Sequence, residues 1–102
     1  MTYNKEDLEV VIEKVDVALR DLNLLEEQFK GVVCSAHVVK QFKEVSDDWD
    51  GISVLMTGIF GRELRDAAAY LIPEKNETAD FSHPRSKLGW IKREAERILR
   101  EQ

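Results

Sequence analysis

The sequence is poor in cysteine and proline, and it has no long apolar run. Its 102 residues include one cysteine, Cys34, and two prolines, Pro73 and Pro84. A lone cysteine cannot form an internal disulfide, which fits a reducing compartment, and we expect a cytoplasmic protein. No segment approaches the roughly 20 apolar residues of a membrane helix, so we expect no membrane partner. Acids occupy the first ten residues where a secretion signal has an apolar core, so we expect no cleaved signal.

Charge is plentiful but unevenly distributed along the chain. The net charge is −5. Residues 84–102 hold six Lys or Arg and three Asp or Glu, whereas residues 1–83 hold nine Lys or Arg and seventeen Asp or Glu. An acidic body disfavours non-specific binding to nucleic acid, so we do not expect a nucleic-acid partner. The high charged and apolar fractions, 34% and 43%, are typical of a small helical globular domain.

The most regular pattern runs from Asn4 to Phe29. Its apolar residues recur at alternating steps of three and four, which is the spacing of one continuous seam along an α-helix. The seam comprises Leu8, Val11, Val15, Ala18, Leu22, Leu25 and Phe29. Asn4 is a good N-cap, and Gly31 can adopt the left-handed conformation that ends a helix. The pattern predicts a first helix over about residues 4–30.

Three further helices are predicted, over about residues 35–45, 48–72 and 84–100, with a loop at 73–83. Ser46 and three acids precede an apolar run, which is typical of a helix start and places a break near residue 47. Two alternatives remain open at this stage. The first two helices could form one long kinked helix, and Gly58 could divide the third.

These elements predict an all-α fold, a single-domain four-helix bundle with two long antiparallel helices and two shorter ones. On the predicted boundaries, the long pair is the first and third helices. The sequence leaves open whether the basic last helix docks on the body or projects from it.

No motif for catalysis or metal binding is complete. Cys34 and His37 form C-x-x-H, which could supply a nucleophile pair or two zinc ligands. Zinc normally needs two more ligands, and the chain holds no other cysteine and only one other histidine, His83. We therefore expect a non-enzymatic protein without a metal or cofactor.

A second pattern lies near the middle of the chain, where Trp49-Asp50-Gly51 forms W-x-G. In a helical chain of about a hundred residues this pattern resembles the WXG100 family. Tyr70-x-x-x-Glu74 also resembles the export signal of the type VII system. The resemblance implies, as an alternative function, a dimerising helical hairpin that is secreted by that system.

The leading functional hypothesis is a small acidic regulatory protein that binds another protein, as an adaptor, inhibitor or immunity factor. A second copy of the chain, forming a homodimer, is the alternative partner. Charged helical surfaces suit electrostatically steered association. The candidate contact residues are an acidic cluster with a tryptophan and a basic set on the last helix: Asp47, Asp48, Trp49, Asp50, Arg85, Lys92 and Arg93.

Overall fold

The computed structural model describes residues 3–56 and 58–102, and this part of the chain forms four helices. They are α1 (Lys5–Phe29), α2 (Ala36–Ser53), α3 (Ile59–Leu71) and α4 (Ser82–Arg100). The described residues contain no strand and a single isolated β-bridge, between Val33 and Thr78. The predicted all-α four-helix bundle is confirmed. None of the described helices is long and apolar enough to cross a membrane.

Helix α1 follows the sequence prediction closely. The Asp7 amide donates to the side-chain oxygen of Asn4 at 2.8 Å, as expected of an N-cap. Gly31, just beyond the last turn, has a φ of +74°, which glycine adopts without steric cost. The predicted seam faces the core, and its buried members are Leu8, Val11, Val15, Ala18, Leu22 and Leu25.

The predicted boundary between the second and third helices is wrong. Helix α2 continues through residues 46–51 to Ser53, and α3 begins only at Ile59. Ser46 is no helix cap, because its hydroxyl is buried in the middle of α2 and donates to the Ala68 carbonyl of α3 at 2.8 Å. Gly58, with a φ of +60°, precedes α3, as the alternative division allowed.

Because α2 extends to Ser53, the turn on which the W-x-G resemblance depends does not form. Trp49, Asp50 and Gly51 all lie inside α2. This segment is helical because the buried residues of α2 recur at helical spacing. Phe42, Ser46, Trp49 and Ser53 follow one another at steps of four, three and four, so these four side chains lie on one buried face. The three acids beside Trp49 then fall on the exposed side of the same helix.

The helices form an antiparallel bundle of about 46 × 20 × 16 Å. Helix α1 packs mainly on α4, α2 mainly on α3, and α3 also on α4. The assignment of the long pair to the first and third helices is therefore wrong. Helix α1 is the longest with 25 residues, α4 and α2 are of nearly equal length with 19 and 18, and α3 has only 13.

One end of the bundle is closed by contacts between the α1–α2 linker and the α3–α4 loop. The Cys34 amide donates to the Glu77 carbonyl at 2.9 Å, and the Asn76 amide donates to the Cys34 carbonyl at 2.8 Å. Phe81 is buried against Phe42 with ring centroids 5.8 Å apart. At the start of α4, the Ser82 amide donates to the Asp80 side chain at 2.9 Å.

Candidate functional site

The bundle separates charge by sign across its two sides. Since α1 packs on α4 and α2 on α3, α1 and α2 form one side and α3 and α4 the other. Helices α1 and α2 contain five Lys or Arg and twelve Asp or Glu, a net charge of −7. Helices α3 and α4 contain eight Lys or Arg and four Asp or Glu, a net charge of +4. The protein is therefore strongly polarised, although its net charge is only −5.

The acidic cluster predicted as a contact site is exposed, but its tryptophan is not. Asp47, Asp48 and Asp50 lie on the exposed side of α2. Trp49 is fully buried, and its indole N–H donates to Asp21 of α1 at 3.4 Å. The prediction that Trp49 contacts a partner is wrong, because this side chain belongs to the core. The cluster consequently has no aromatic anchor of its own.

Two of the predicted basic residues hold α4 against α1. Arg85 donates through Nη2 to Glu26 at 2.9 Å and to Asn23 at 2.9 Å. Lys92 donates to Asp16 at 2.7 Å, and this hydrogen bond together with the charge of Asp16 raises the pKa of Lys92. The basic helix is thus docked on the body. These two cations serve the fold, whereas Arg93 is exposed.

A cleft of about 300 Å³ lies on the outer surface between α3 and α4. We call this surface the α3/α4 face. Its lining includes an apolar and an aromatic side chain at one end and an imidazole at the other. The lining residues are Ile59, Glu63, His83, Ser86, Lys87 and Trp90.

Both ends of the α3/α4 face carry exposed aromatic rings that rest on other rings. Trp90 is 36% exposed, with its ring 6.5 Å from that of the buried Phe60. Tyr70 is 57% exposed, and its ring centroid lies 3.9 Å from that of His83. Large rings held in place by neighbours lose little entropy when a partner covers them.

An ion-pair network forms the middle of the face. Lys87 Nζ lies 2.6 Å from a Glu63 oxygen and 3.7 Å from an Asp66 oxygen. The hydrogen bond to Glu63 is the main cause that raises the pKa of Lys87, against the opposing effect of burial. One lysine thus pairs with two carboxylates, and the network keeps a net charge of −1.

The remaining cations of this side are arginines. Arg97 pairs with both Glu94 and Glu101, so one cation serves two carboxylates and this cluster keeps a net charge of −1. Within residues 3–56 and 58–102, no carboxylate lies within ion-pair distance of four exposed arginines, which are Arg62, Arg65, Arg93 and Arg100. A Cβ at Gly89 would lie 3.1 Å from Arg93 Nη1, so glycine leaves room for this guanidinium beside Trp90.

The sequence did not predict this face, although one signal was present. Trp90 falls between Leu88 and Ile91, off the buried seam that continues to Ala95. A tryptophan off the apolar seam of an amphipathic helix is exposed to solvent, and this could have marked α4. Trp90 and Ile59 line the same cleft because of how α3 is positioned along α4. The sequence pattern does not specify that register.

The C-x-x-H pair is not assembled into a site. Cys34 is buried, with its sulfur 3.7 Å from the Val32 carbonyl oxygen, whereas His37 is exposed on the first turn of α2. No group of three or more His, Cys, Asp or Glu side chains among the described residues is arranged to hold a metal ion.

Comparisons with protein families, with curated proteins and with solved structures find no match to this chain.

Proposed function

We propose that this chain is a small non-enzymatic protein that binds another protein through its α3/α4 face. Trp90 and Tyr70 on this face carry the proposal. Tryptophan, tyrosine and arginine are the residues that dominate binding energy at protein interfaces, and here the first two flank a cleft with Arg93 beside it.

The other exposed large apolar side chains of the described residues are all aliphatic, and they are Val10, Leu24, Val32, Val33, Val54, Leu55 and Ile72. The most exposed of them, Val54 and Leu55, are neighbours in the α2–α3 connection at 77% and 63%, but leucine and valine are under-represented among interface hot spots. Single exposed aliphatic residues are normal on protein surfaces. The contrast supports the α3/α4 face as the binding surface.

The proposal includes a partner different from this chain and a cytoplasmic location. Two copies joined through their α3/α4 faces would place two surfaces of the same charge sign against each other, which is unfavourable at an interface. The single buried thiol of Cys34 is in keeping with a reducing compartment.

Affinity capture from the native host tests this function with one variant and a matched control. Trp90→Ala removes the anchor, and Leu24→Ala removes an exposed apolar side chain on α1, outside the face. A partner protein should be recovered with the wild type and with Leu24→Ala. Trp90→Ala should weaken the purified complex about thirtyfold, as expected for a hot spot of about 2 kcal/mol. Equal affinity for all three proteins would place the interface elsewhere.

A further inference from the structure

We propose that the occupant of the α3/α4 face is an acidic amphipathic helix of another protein. This inference rests on the proposed function and specifies the chemistry of the partner. It follows from the shape of the cleft, from the distance between its apolar ends and from the charges around it.

The shape of the cleft fits a helix. It lies between two antiparallel helices, α3 and α4, and it extends from Ile59 and Trp90 towards His83. An amphipathic helix that binds such a groove places its apolar residues at steps of three and four on one side.

The spacing of the two ends sets the positions of the anchors. Ile59 and Tyr70 are eleven residues apart in α3, which is roughly 16 Å or three helical turns. A partner helix would therefore contact both ends with apolar residues eleven positions apart. Between them, its middle turns would pass over the Lys87 network, which keeps a net charge of −1, so the carboxylates of the partner would lie on its flanks only.

The charges favour an acidic partner. Glu63, Asp66 and Glu94 each lie within ion-pair distance of a lysine or arginine of α4. Arg93 and Arg100 share a surface pocket with Trp90 and, like Arg62 and Arg65 of α3, have no such partner among the described residues. These four cations exceed by two the extra carboxylates of the Lys87 and Arg97 clusters, so positive charge remains. Carboxylates on the flanks of a docked helix would neutralise Arg62 of α3 and Arg93 of α4.

A nucleic acid fits the same surface less well. Trp90 and the arginines could stack on bases and bind phosphates. However, a phosphate backbone that follows α4 would also pass Glu94, Glu96 and Glu101, and the opposite side of this thin molecule has a net charge of −7. A helix can position its carboxylates to meet the arginines alone.

Three synthetic probes and the full-length protein test the inference. The first is a peptide of roughly 16 residues, about four turns, with leucines on one side and glutamates on its flanks. The second carries lysine in place of every glutamate, and the third is a single-stranded oligodeoxynucleotide of comparable length. Binding is measured by the anisotropy of a dye on each probe.

We expect the acidic peptide to bind at least about tenfold more tightly than its lysine counterpart. Arg93→Glu should weaken this binding about tenfold, and Trp90→Ala should weaken it at least as much. Arg20→Glu, the same change at an exposed position of α1, is the matched control and should leave it unchanged. Raising the salt from about 0.1 M to about 1 M should weaken the complex.

Several outcomes would overturn the inference. Equal or tighter binding of the lysine peptide would exclude an acidic partner, and if that binding requires Trp90, the proposed function survives. Oligonucleotide binding that requires Trp90 and displaces the acidic peptide would make the face a nucleic-acid site. Failure of both peptides to bind would exclude a helical occupant, while the capture experiment judges the proposed function independently.

Discussion

Two glycines show how differently the same residue type is used in neighbouring helices. At Gly61 of α3, an added Cβ would lie 2.8 Å from the Ser53 carbonyl oxygen and 3.0 Å from that of Met56. Both are backbone atoms, which cannot rotate away as a flexible side chain can. At Gly51 of α2, an added Cβ would have no neighbour within 4 Å. The first glycine permits the close approach of the α2–α3 connection, and the second does not serve packing.

Alanine substitutions at these glycines should change stability in opposite directions. Gly51→Ala should raise the free energy of unfolding by about 0.5–1 kcal/mol, because alanine loses less backbone entropy in a helix. Gly61→Ala should lower it by about 1–3 kcal/mol, because the methyl group displaces backbone atoms in a packed region. Urea denaturation of both variants checks this, and changes of the same sign would refute the packing argument.

At the scale of the helices, the sequence pattern predicts α1 correctly and the α2–α3 boundary incorrectly. Both outcomes have the same physical cause, which is that a local pattern carries no information on contacts between helices. The apolar seam of α1 is long enough to specify a helix by local pattern alone. Ser46 and its acidic neighbours match a helix start, but they match equally well a helix that buries Ser46 and Trp49 and exposes the acids. The Ser46–Ala68 hydrogen bond and the close approach at Gly61 decide between the two, and both are contacts between helices.

The candidate face depended on tertiary structure still more strongly. Its residues come from two helices whose relative register is set by packing, so local pattern could mark Trp90 alone. The sequence correctly identified the last helix as basic. It could not reveal that Arg85 and Lys92 bind α1 and that Arg93 remains exposed.

The Lys87 network links α3 to α4 and should give the stability a recognisable dependence on pH. Because its folded-state pKa is raised above the ordinary value of 10.5, Lys87 stabilises the fold below that pH. This contribution is lost as the pH rises through the folded-state value. The stability difference between the wild type and Lys87→Gln should therefore be constant near neutrality and shrink above about pH 10.5.

Urea midpoints at several pH values between about 8 and 11 measure this difference. Lys43→Gln, at an exposed position of α2 with no ion-pair partner among the described residues, is the control for losing a lysine charge. A Lys87→Gln difference that stays constant across the alkaline range would show that the network does not stabilise the α3–α4 contact.

For the whole molecule, the separation of charge gives the acidic cluster of α2 a role different from the predicted one. Asp47, Asp48 and Asp50 are exposed on α2, a helix that does not line the α3/α4 face, in a bundle whose shorter dimensions are 20 and 16 Å. The Debye length is about 30 Å at 0.01 M salt and about 8 Å at physiological ionic strength. An acidic partner approaching the face is thus repelled by the α1–α2 side at low salt and is shielded from it at physiological salt.

Replacing these three aspartates with asparagine should therefore accelerate the association of the acidic peptide at about 0.01 M salt, by severalfold. It should have little effect at about 0.15 M, because the far side is then screened. Stopped-flow mixing measures both rates, and the dissociation rate should stay unchanged, since the aspartates do not touch the bound helix. A changed dissociation rate would mean that α2 contacts the peptide, which would move the binding surface to the α1–α2 side.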